Sequence, residues 1–503
     1  MKPLRFTLST AALALLPLPM AWAQDASRPI SITPRVSVTE TLTNNVALSN
    51  SAGARSDLVT EISPGIRVNI QGARLKTYFD YALSHVDYAR GNSSSRQQNA
   101  LNTFGTFEAV DNWAFIDFSG NISQQTISAF DTQSTNNTAV NANQTEVANY
   151  RVSPYVKGQL GNVANYEARV SRSVTSADNA TASDTASTNS VVRVSNVSSF
   201  RRLGWSADVS RLQSSYSAGR TTTADNYSLG LTYDLSPQVK LSANSGQESN
   251  NYTSLDKQTY STHSLGLTWL PSGRTKLSLL TGQRSFGNNH NVSFEHRSAR
   301  TVWRFTDSKD VSTPGSQSGF GTVGNVYDLL FSQFATLEPD LSARAALVSS
   351  FLANRGISPS ATVLGNFLTS AASVQRSQNL SFALLGIRDT ITFLLTRTES
   401  SRLDTIASVV DNLSNANTVI QNGFSINYSH RLTPDYSLGV VLSHRASEGS
   451  TAAEATTLKS INVNLTGKLG QKTAASLGLR HVVSDSSNAY TETAVTGNLN
   501  VQF

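Results

Sequence analysis

The sequence predicts an all-β fold, a transmembrane antiparallel outer-membrane β-barrel of about 22 strands (range 16–24) with a helical insertion. Three observations carry that expectation. Amphipathic segments of period two recur along nearly the whole chain, short turns alternate with longer polar connections, and the amino end reads as an export signal.

The last stretch, YTETAVTGNLNVQF, shows the period most plainly. Val495, Gly497, Leu499, Val501 and Phe503 share one face, and Thr496, Asn498, Asn500 and Gln502 share the other. A half-buried strand of a soluble sandwich would look the same, so its weight comes from recurrence. Here it predicts a closing strand that pairs with both the strand near 473–484 and the first one, with Phe503 at its periplasmic end.

Composition agrees. Of 503 residues only 39% are hydrophobic and 15% charged, too polar for a helical membrane bundle and low in charge for a soluble chain of this size. Ser, Thr, Asn and Gly fill the gap, as they do in strands with one hydrated face. A secreted low-complexity adhesin would share that mixture. The formal charge of +6 falls by two when Lys2 and Arg5 leave with the leader, and no dense basic run suggests nucleic acid. Without cysteine there is no disulfide framework, thiolate metal site or Cys nucleophile.

Residues 1–23 read as a signal peptide: basic Lys2 and Arg5, an apolar core from Leu8 to Leu18, and Ala21-Trp22-Ala23 before Gln24. No apolar run of eighteen residues follows, so an inner-membrane helix is not expected and 24–503 forms the barrel domain.

Along that domain, Ser31 to Leu48 and Ser56 to Ile70 read as the first strands, followed by Leu75 to Ser84 after the reversal at 71–74. Short turns at 71–74, 111–112, 158–162, 202–204, 236–237, 271–273, 432–435 and 469–472 alternate with longer polar segments, among them the Thr- and Asn-rich 131–143 and the stretch 402–418. Outer-membrane barrels have that asymmetry, with short periplasmic turns and longer external loops. The clearest strands place Tyr227, Leu229, Leu231, Tyr233 and Leu235 opposite Asn226, Ser228, Thr232 and Asp234, and Ile461, Val463 and Leu465 opposite Asn462, Asn464 and Lys468. A charge at mid-depth on a lipid face costs roughly 2–4 kcal/mol, which assigns the charged phase to the lumen. Candidate lumen-lining residues are therefore Arg67, Lys76, Asp80, Lys240, Lys276, Asn462, Asn464, Lys468 and Arg480. Tyr233, Trp269, Tyr428 and Tyr436 lie near short turns, where an aromatic girdle would sit.

Between 321 and 375 the period becomes helical. Tyr327, Phe331, Phe334, Leu347, Phe351 and Phe367 supply the apolar faces of an insertion that plugs the lumen, caps a mouth or receives a partner protein. Leu385 and Leu394 fall on the polar phase of the following strands, as expected if that wall meets an apolar body inside. Connection parity places the insertion on the external side if every strand is real.

The seven histidines form no zinc constellation. His290 and His296 lack an adjacent carboxylate pair, and His430 reads as an interfacial residue near a turn. No phosphate loop, haem motif or cation loop is present, so no cofactor and no catalysis are expected.

The text ITPRVSVTETLTNNVAL, with Pro34, Glu40, Thr43, Asn44, Asn45 and Val46, followed by SDLVTEISPGIRV with Ser56, Asp57, Pro64 and Gly65, resembles the outer-membrane β-barrel family associated with the PEP-CTERM/exosortase system and found beside exopolysaccharide loci. LKTYFDYAL, the insertion with Arg344 and Gly356, and LSFALLGIRDTITFLL with Gly386 and Arg388 extend the likeness over the mature chain. Asn44 stands where the family typically has aspartate. The resemblance implies an outer-membrane conduit for exopolysaccharide export, with polysaccharide and periplasmic export components as partners besides membrane lipid. A docking barrel for surface or periplasmic proteins and a small-solute uptake porin are the alternatives.

Overall fold

The alternating segments form one antiparallel sheet of 22 strands that closes on itself. The computed structural model describes residues 30–178, 184–196, 202–217, 219–313, 372–404, 411–451 and 454–503, with 331, 344, 345, 348, 367–369 and 406. The predicted signal peptide and most of the insertion, including Tyr327, Phe334, Leu347 and Phe351, lie outside them.

The first strands are β1 Ile30–Thr43, β2 Asp57–Gln71, β3 Leu75–Tyr88, β4 Arg96–Val110, β5 Ala114–Thr126, β6 Gln144–Leu160, β7 Ala164–Ala177 and β8 Thr185–Asn196. Next come β9 Leu203–Tyr216, β10 Thr222–Ser236, β11 Val239–Asn250, β12 Gln258–Ser272, β13 Thr275–Arg284, β14 Gly287–Arg297 and β15 Thr301–Ser312. After the insertion run β16 Ser373–Leu385, β17 Asp389–Arg402, β18 Thr418–Arg431, β19 Tyr436–Glu448, β20 Ala455–Lys468, β21 Thr473–Asp485 and β22 Tyr490–Gln502. One short helix, α1 (Asn412–Ala416), stands between β17 and β18.

Each strand pairs with its sequence neighbours, and β1 pairs with β22 from Arg35↔Gln502 to Thr43↔Ala494. The Phe503 N–H donates to the Pro34 carbonyl at 2.9 Å. That seam removes the sheet edges, whose bare N–H and C=O groups hydrocarbon would not solvate. As expected, β22 is the closing strand, and Phe503 shares the phase of Leu499 rather than that of Asn500.

Phase divides the wall chemically. Outward positions such as Leu42, Ile62, Leu229, Leu231, Leu265 and Leu477 are exposed apolar residues, whereas inward ones such as Thr41, Ser63, Thr392, Ser425, Asn427 and Ser460 are polar and buried. Tyr233, Trp269 and Tyr436 are exposed near the short-turn end, in girdle positions, and Tyr428 donates its hydroxyl to Asp389 there at 2.7 Å. No helix among the described residues is long and apolar enough to cross a membrane; the crossing is made by strands.

Connections after even-numbered strands are short, as at 72–74, 237–238 and 386–388, and both chain ends of the sheet lie on that side. The long ones, including 127–143, 313–372 and 403–417, lie on the other. By that asymmetry the chain enters and leaves the insertion at the external end.

Two boundaries differ from expectation. β1 stops at Thr43 instead of running to Leu48, because the Asn45 side chain accepts from Ser49 N–H and donates to the Ser49 and Thr491 carbonyls, folding a turn in which Val46 and Leu48 become buried. β16 starts at Ser373, so 373–375 belong to the wall.

The phase makes a direct prediction. Leu231 stands mid-height on the outer face, and Leu231→Arg is expected to lower stability by roughly 2–4 kcal/mol in lipid vesicles. Ser228→Lys, three residues away on the inner face, is expected to change it by less than about 1 kcal/mol. Urea unfolding followed by tryptophan emission checks both.

Candidate functional site

The barrel interior is the candidate site, and its contents vary with depth. Near the periplasmic end, Asp80 on β3 receives Arg35 Nη2 at 2.6 Å, Arg67 Nε at 3.0 Å and the Tyr78 hydroxyl at 3.1 Å. The Tyr78 ring, almost fully buried, stacks on its cross-strand partner Phe104 with centroids 5.5 Å apart.

Phe104 in turn meets Phe331 edge-on at 5.9 Å, and the Arg344 guanidinium lies 4.9 Å from the Phe331 ring centre. Phe331 and Arg344 belong to the connection between β15 and β16, which begins and ends at the external side. Tyr78 is ten residues below Tyr88, the external end of β3. At about 3.4 Å per residue and a tilt near 40°, that depth is roughly 25 Å. Phe331, Arg344, Ala345 and Val348 are helical and buried. Leu394, the apolar residue on the polar phase of β17, is also buried, at 2% exposure.

The external layer is built differently. Residues 127–143, joining β5 to β6, fold over the mouth and bond walls far from their own strands. Phe130 and Gln133 carbonyls accept from Thr456 Oγ1 (2.7 Å) and the Tyr490 hydroxyl (2.6 Å). Between β5 and β20 stand β4, β3, β2, β1, β22 and β21, so the segment crosses the opening rather than following the rim. On its way, Asn137 and Ala139 carbonyls accept from Arg96 Nη2 at 2.7 and 2.9 Å, and Ala139 packs with Leu48, Leu458, Val482 and Tyr490.

The asparagines hold this shape. Asn136 Oδ1 accepts from the Thr138 and Ala139 amides, Asn141 Oδ1 from Asn143 N–H, and Asn143 Oδ1 from Ser128 N–H. Such side-chain turns replace the ladder bonds that a strand would supply. Helix α1 meets the loop through a small core of Ala129, Leu413, Ala416 and Val419. Phe367 joins that core and forms a parallel bridge with Thr126, so it lies in the external layer, well above Phe331. Asp411 and Ser414 cap the helix reciprocally, which fixes its first turn.

A second link spans the mouth. Arg220, beside β9, pairs with the buried Asp404 beyond β17 at 3.2 Å and donates to the Tyr252 carbonyl at 2.7 Å. Burial and the nearby Glu248 carboxylate push the Tyr252 phenol above its ordinary value.

Beneath Tyr252, against β8–β15, a cavity of about 460 Å³ remains open. Asn226, Ser228, Asn244 and Ser264 line it, together with the Glu248–Arg284 pair at 3.1 Å. Ser285 Oγ and Asn250 Nδ2 also donate to Glu248, so this buried carboxylate is fully engaged. Asn289 Oδ1 is buried at the cavity with no partner among the described residues.

The residues expected to line the lumen all occupy the inward phase, at separate levels. Arg67 and Asp80 pair together, Lys240 pairs with Asp234 at 3.4 Å, and Lys276 lies opposite Glu295 in register. Arg480 reaches Glu492 at 2.7 Å, beside Asn462 across the ladder, while Asn464 and Lys468 follow on β20 toward the periplasmic turn, and Lys76 is exposed at that end of β3. The infolded 127–143 segment, the Arg220–Asp404 link and the Glu248–Arg284 pair were not among the expected site residues. Their partners are hundreds of residues away or across the wall, and only the unusual asparagine density of 136–143 hints at internal order. Sequence reasoning also missed the partner of His290: the single carboxylate of Asp307, across β14 and β15, lies 2.9 Å from its Nε2.

No family model matches the sequence, so the likeness to the PEP-CTERM/exosortase-associated barrels rests on the quoted residues alone, and no curated protein matches it. The fold is similar to that of solved barrels. The FrpB iron transporter from Neisseria meningitidis (F5-1 variant, apoprotein form) aligns with a TM-score of 0.50 at 10% identity, covering 94% of this chain and 81% of that one. The siderophore receptor PirA from Pseudomonas aeruginosa gives a TM-score of 0.45 at 8% identity, with 95% and 81% covered. The closed sheet, apolar belt and polar interior define an outer-membrane β-barrel. Among the described residues no cluster of His, Asp or Glu is arranged to hold a metal.

The crossing loop yields a second prediction. Tyr490→Phe with Thr456→Val removes two anchors worth about 1 kcal/mol each. Amide exchange in 128–143 is expected to accelerate by roughly fivefold or more while strand amides stay unchanged, as read by hydrogen–deuterium mass spectrometry.

Proposed function

We propose that the protein is an outer-membrane channel for small hydrophilic solutes, captured here with its bore occluded. The observation that carries this reading is the contact of Phe331 with Phe104 deep inside the wall. A segment that enters from the external side and packs in the lower half of the barrel occupies the path a solute would take. The insertion is therefore the plug of the channel, and the 127–143 loop with the Arg220–Asp404 link forms a second barrier at the mouth.

The cavity beneath Tyr252 suits a small solute better than a polymer. A cavity of about 460 Å³ lies within the ~300–1,000 Å³ of ordinary small-molecule sites. Amide and hydroxyl groups dominate its lining, and its one ionic pair is internally neutralised, so it suits an uncharged, hydroxyl-rich solute. An exported polysaccharide strand needs a continuous bore, which the proposed plug would close, and the exopolysaccharide reading rests on the sequence resemblance alone.

Planar-bilayer recording tests the proposal. The intact chain is expected to conduct weakly, and deletion of 321–364 behind a short Gly-Ser linker is expected to raise conductance several-fold and admit mono- and disaccharides in liposome swelling. A deletion variant that folds, with its heat-modifiable gel mobility intact, yet conducts no better than the intact chain would overturn the plug. Within the intact chain, Phe331→Ala is expected to increase brief openings, since it removes an aromatic contact worth about 0.5–1.5 kcal/mol beyond its buried area.

A further inference from the structure

The outer face is apolar through most of its height, but on β14–β17 the pattern breaks. Along β15 the outward phase reads Trp303, Phe305, Asp307, Lys309, and the register sets these opposite Phe382, Leu380, Gln378 and Arg376 of β16. On β17 the same rows continue as Phe393, Leu395, Arg397 and Glu399. Rings and leucines thus occupy the lower rows, where Trp303 and Phe382 lie 4.3 Å apart, and charges occupy the upper ones.

Height gives the charges their meaning. Lys309 is eight residues above Thr301, Arg376 nine above Leu385 and Arg397 eight above Asp389, counted from the periplasmic strand ends. At about 2.6 Å of axial rise per tilted residue they stand roughly 20–23 Å up, near the far boundary of a ~25 Å apolar band. That boundary is the headgroup level of the outer leaflet. At a comparable level five strands away, β10 carries Tyr227 and Leu229 on its outward phase, and the charges just above them, Arg211 and Asp225, are paired with each other at 3.7 Å.

The cluster is organised. Asp307, 9% exposed, accepts from Arg376 Nε at 3.1 Å and Nη2 at 2.8 Å, from Gln378 Nε2 at 2.9 Å, and bonds His290 Nε2 at 2.9 Å. With its acceptors occupied, this carboxylate fixes Arg376 in place and has little capacity left to draw in a neighbouring cation. Glu399 lies opposite Arg376 and offsets part of the charge. Lys309 and Arg397, flanking Arg376 on the two adjacent strands, make no hydrogen bond or ion pair among the described residues. Two cations without partners beside a third held rigidly, directly above an apolar bed, constitute a receptor for an anionic group whose hydrophobic tails lie below it.

We propose that this face binds the phosphorylated glycolipid headgroup of the outer leaflet, with Lys309 and Arg397 donating to phosphate, Arg376 as the fixed central cation, and acyl chains lying on Trp303, Phe305 and Phe382. The site is on the outside of the wall and is independent of what the lumen carries.

The test uses the full-length protein in detergent with bisphosphorylated lipid A, the same lipid dephosphorylated, and inorganic phosphate, scored by native mass spectrometry. The wild type is expected to retain bisphosphorylated lipid A and to prefer it over the dephosphorylated form roughly tenfold or more. K309Q/R397Q, which leaves the Asp307 network intact, is expected to lose that preference while its bilayer conductance matches wild type. R376Q should lose it as well, and if R376Q fails to fold the double variant alone decides. Equal retention of both lipids by the wild type, an unchanged preference in K309Q/R397Q, or displacement of the lipid by inorganic phosphate at equal concentration would each overturn the proposal.

Discussion

Everything in this molecule depends on the hydrogen bonds between β1 and β22. In hydrocarbon an unpaired backbone amide or carbonyl has no water to turn to and costs several kcal/mol. A sheet of 22 strands can therefore lie in a membrane only when its first and last strands meet, and here they do so over nine residue pairs ending beside the Phe503–Pro34 bond. Closure creates an inside and an outside, and the period of two then sorts each strand between them. Leu499 and Val501 meet lipid for the same reason that Asn498 and Asn500 face the lumen.

Closure also creates a difficulty, because a ring of this size encloses more space than wall side chains alone can fill. The chain solves it with material drawn in from the external end. Where Phe331 touches the wall the inward phase is apolar, at Phe104 stacked on Tyr78; across the cavity it stays polar, as at Asn226, Asn244 and Ser264. Local composition of the inner face is thus a record of what each part of the wall contacts. The outward charges of β15–β17 stand at the upper boundary of the apolar band, where the proposed lipid site would supply the anion that Lys309 and Arg397 lack among the described residues.

The strands were legible because each carries its period within a dozen residues, and closing-strand phase needed only YTETAVTGNLNVQF. Leu394, on the polar phase of β17, is buried, as its place in the period suggested. The interior was less legible for a physical reason. The Thr138–Asn143 run looks like solvated low-complexity text, yet its asparagines form side-chain turns that hold a loop across the mouth, with Tyr490, its anchor, some 350 residues away. Asn45 ended β1 early by the same kind of side-chain turn, and His290 found its carboxylate only through a strand pairing. Propensity and period describe neighbours along the chain; these features depend on neighbours across the barrel.

The occluded bore is most directly tested by distance inside the lumen. Because the chain contains no cysteine, Phe331→Cys with Phe104→Cys would place the only two thiols of the protein at the proposed contact. Edge-on ring contact leaves the two backbones farther apart than a disulfide spans, so a bifunctional thiol reagent roughly 8 Å long is the probe: in outer-membrane vesicles it is expected to cross-link the Phe331 and Phe104 positions, seen as a shift in gel mobility, as it does a control pair at the Tyr78 and Phe104 positions. A control pair that is cross-linked while the Phe331 pair is not would contradict the account, because it would place the insertion away from the wall that it is proposed to occupy.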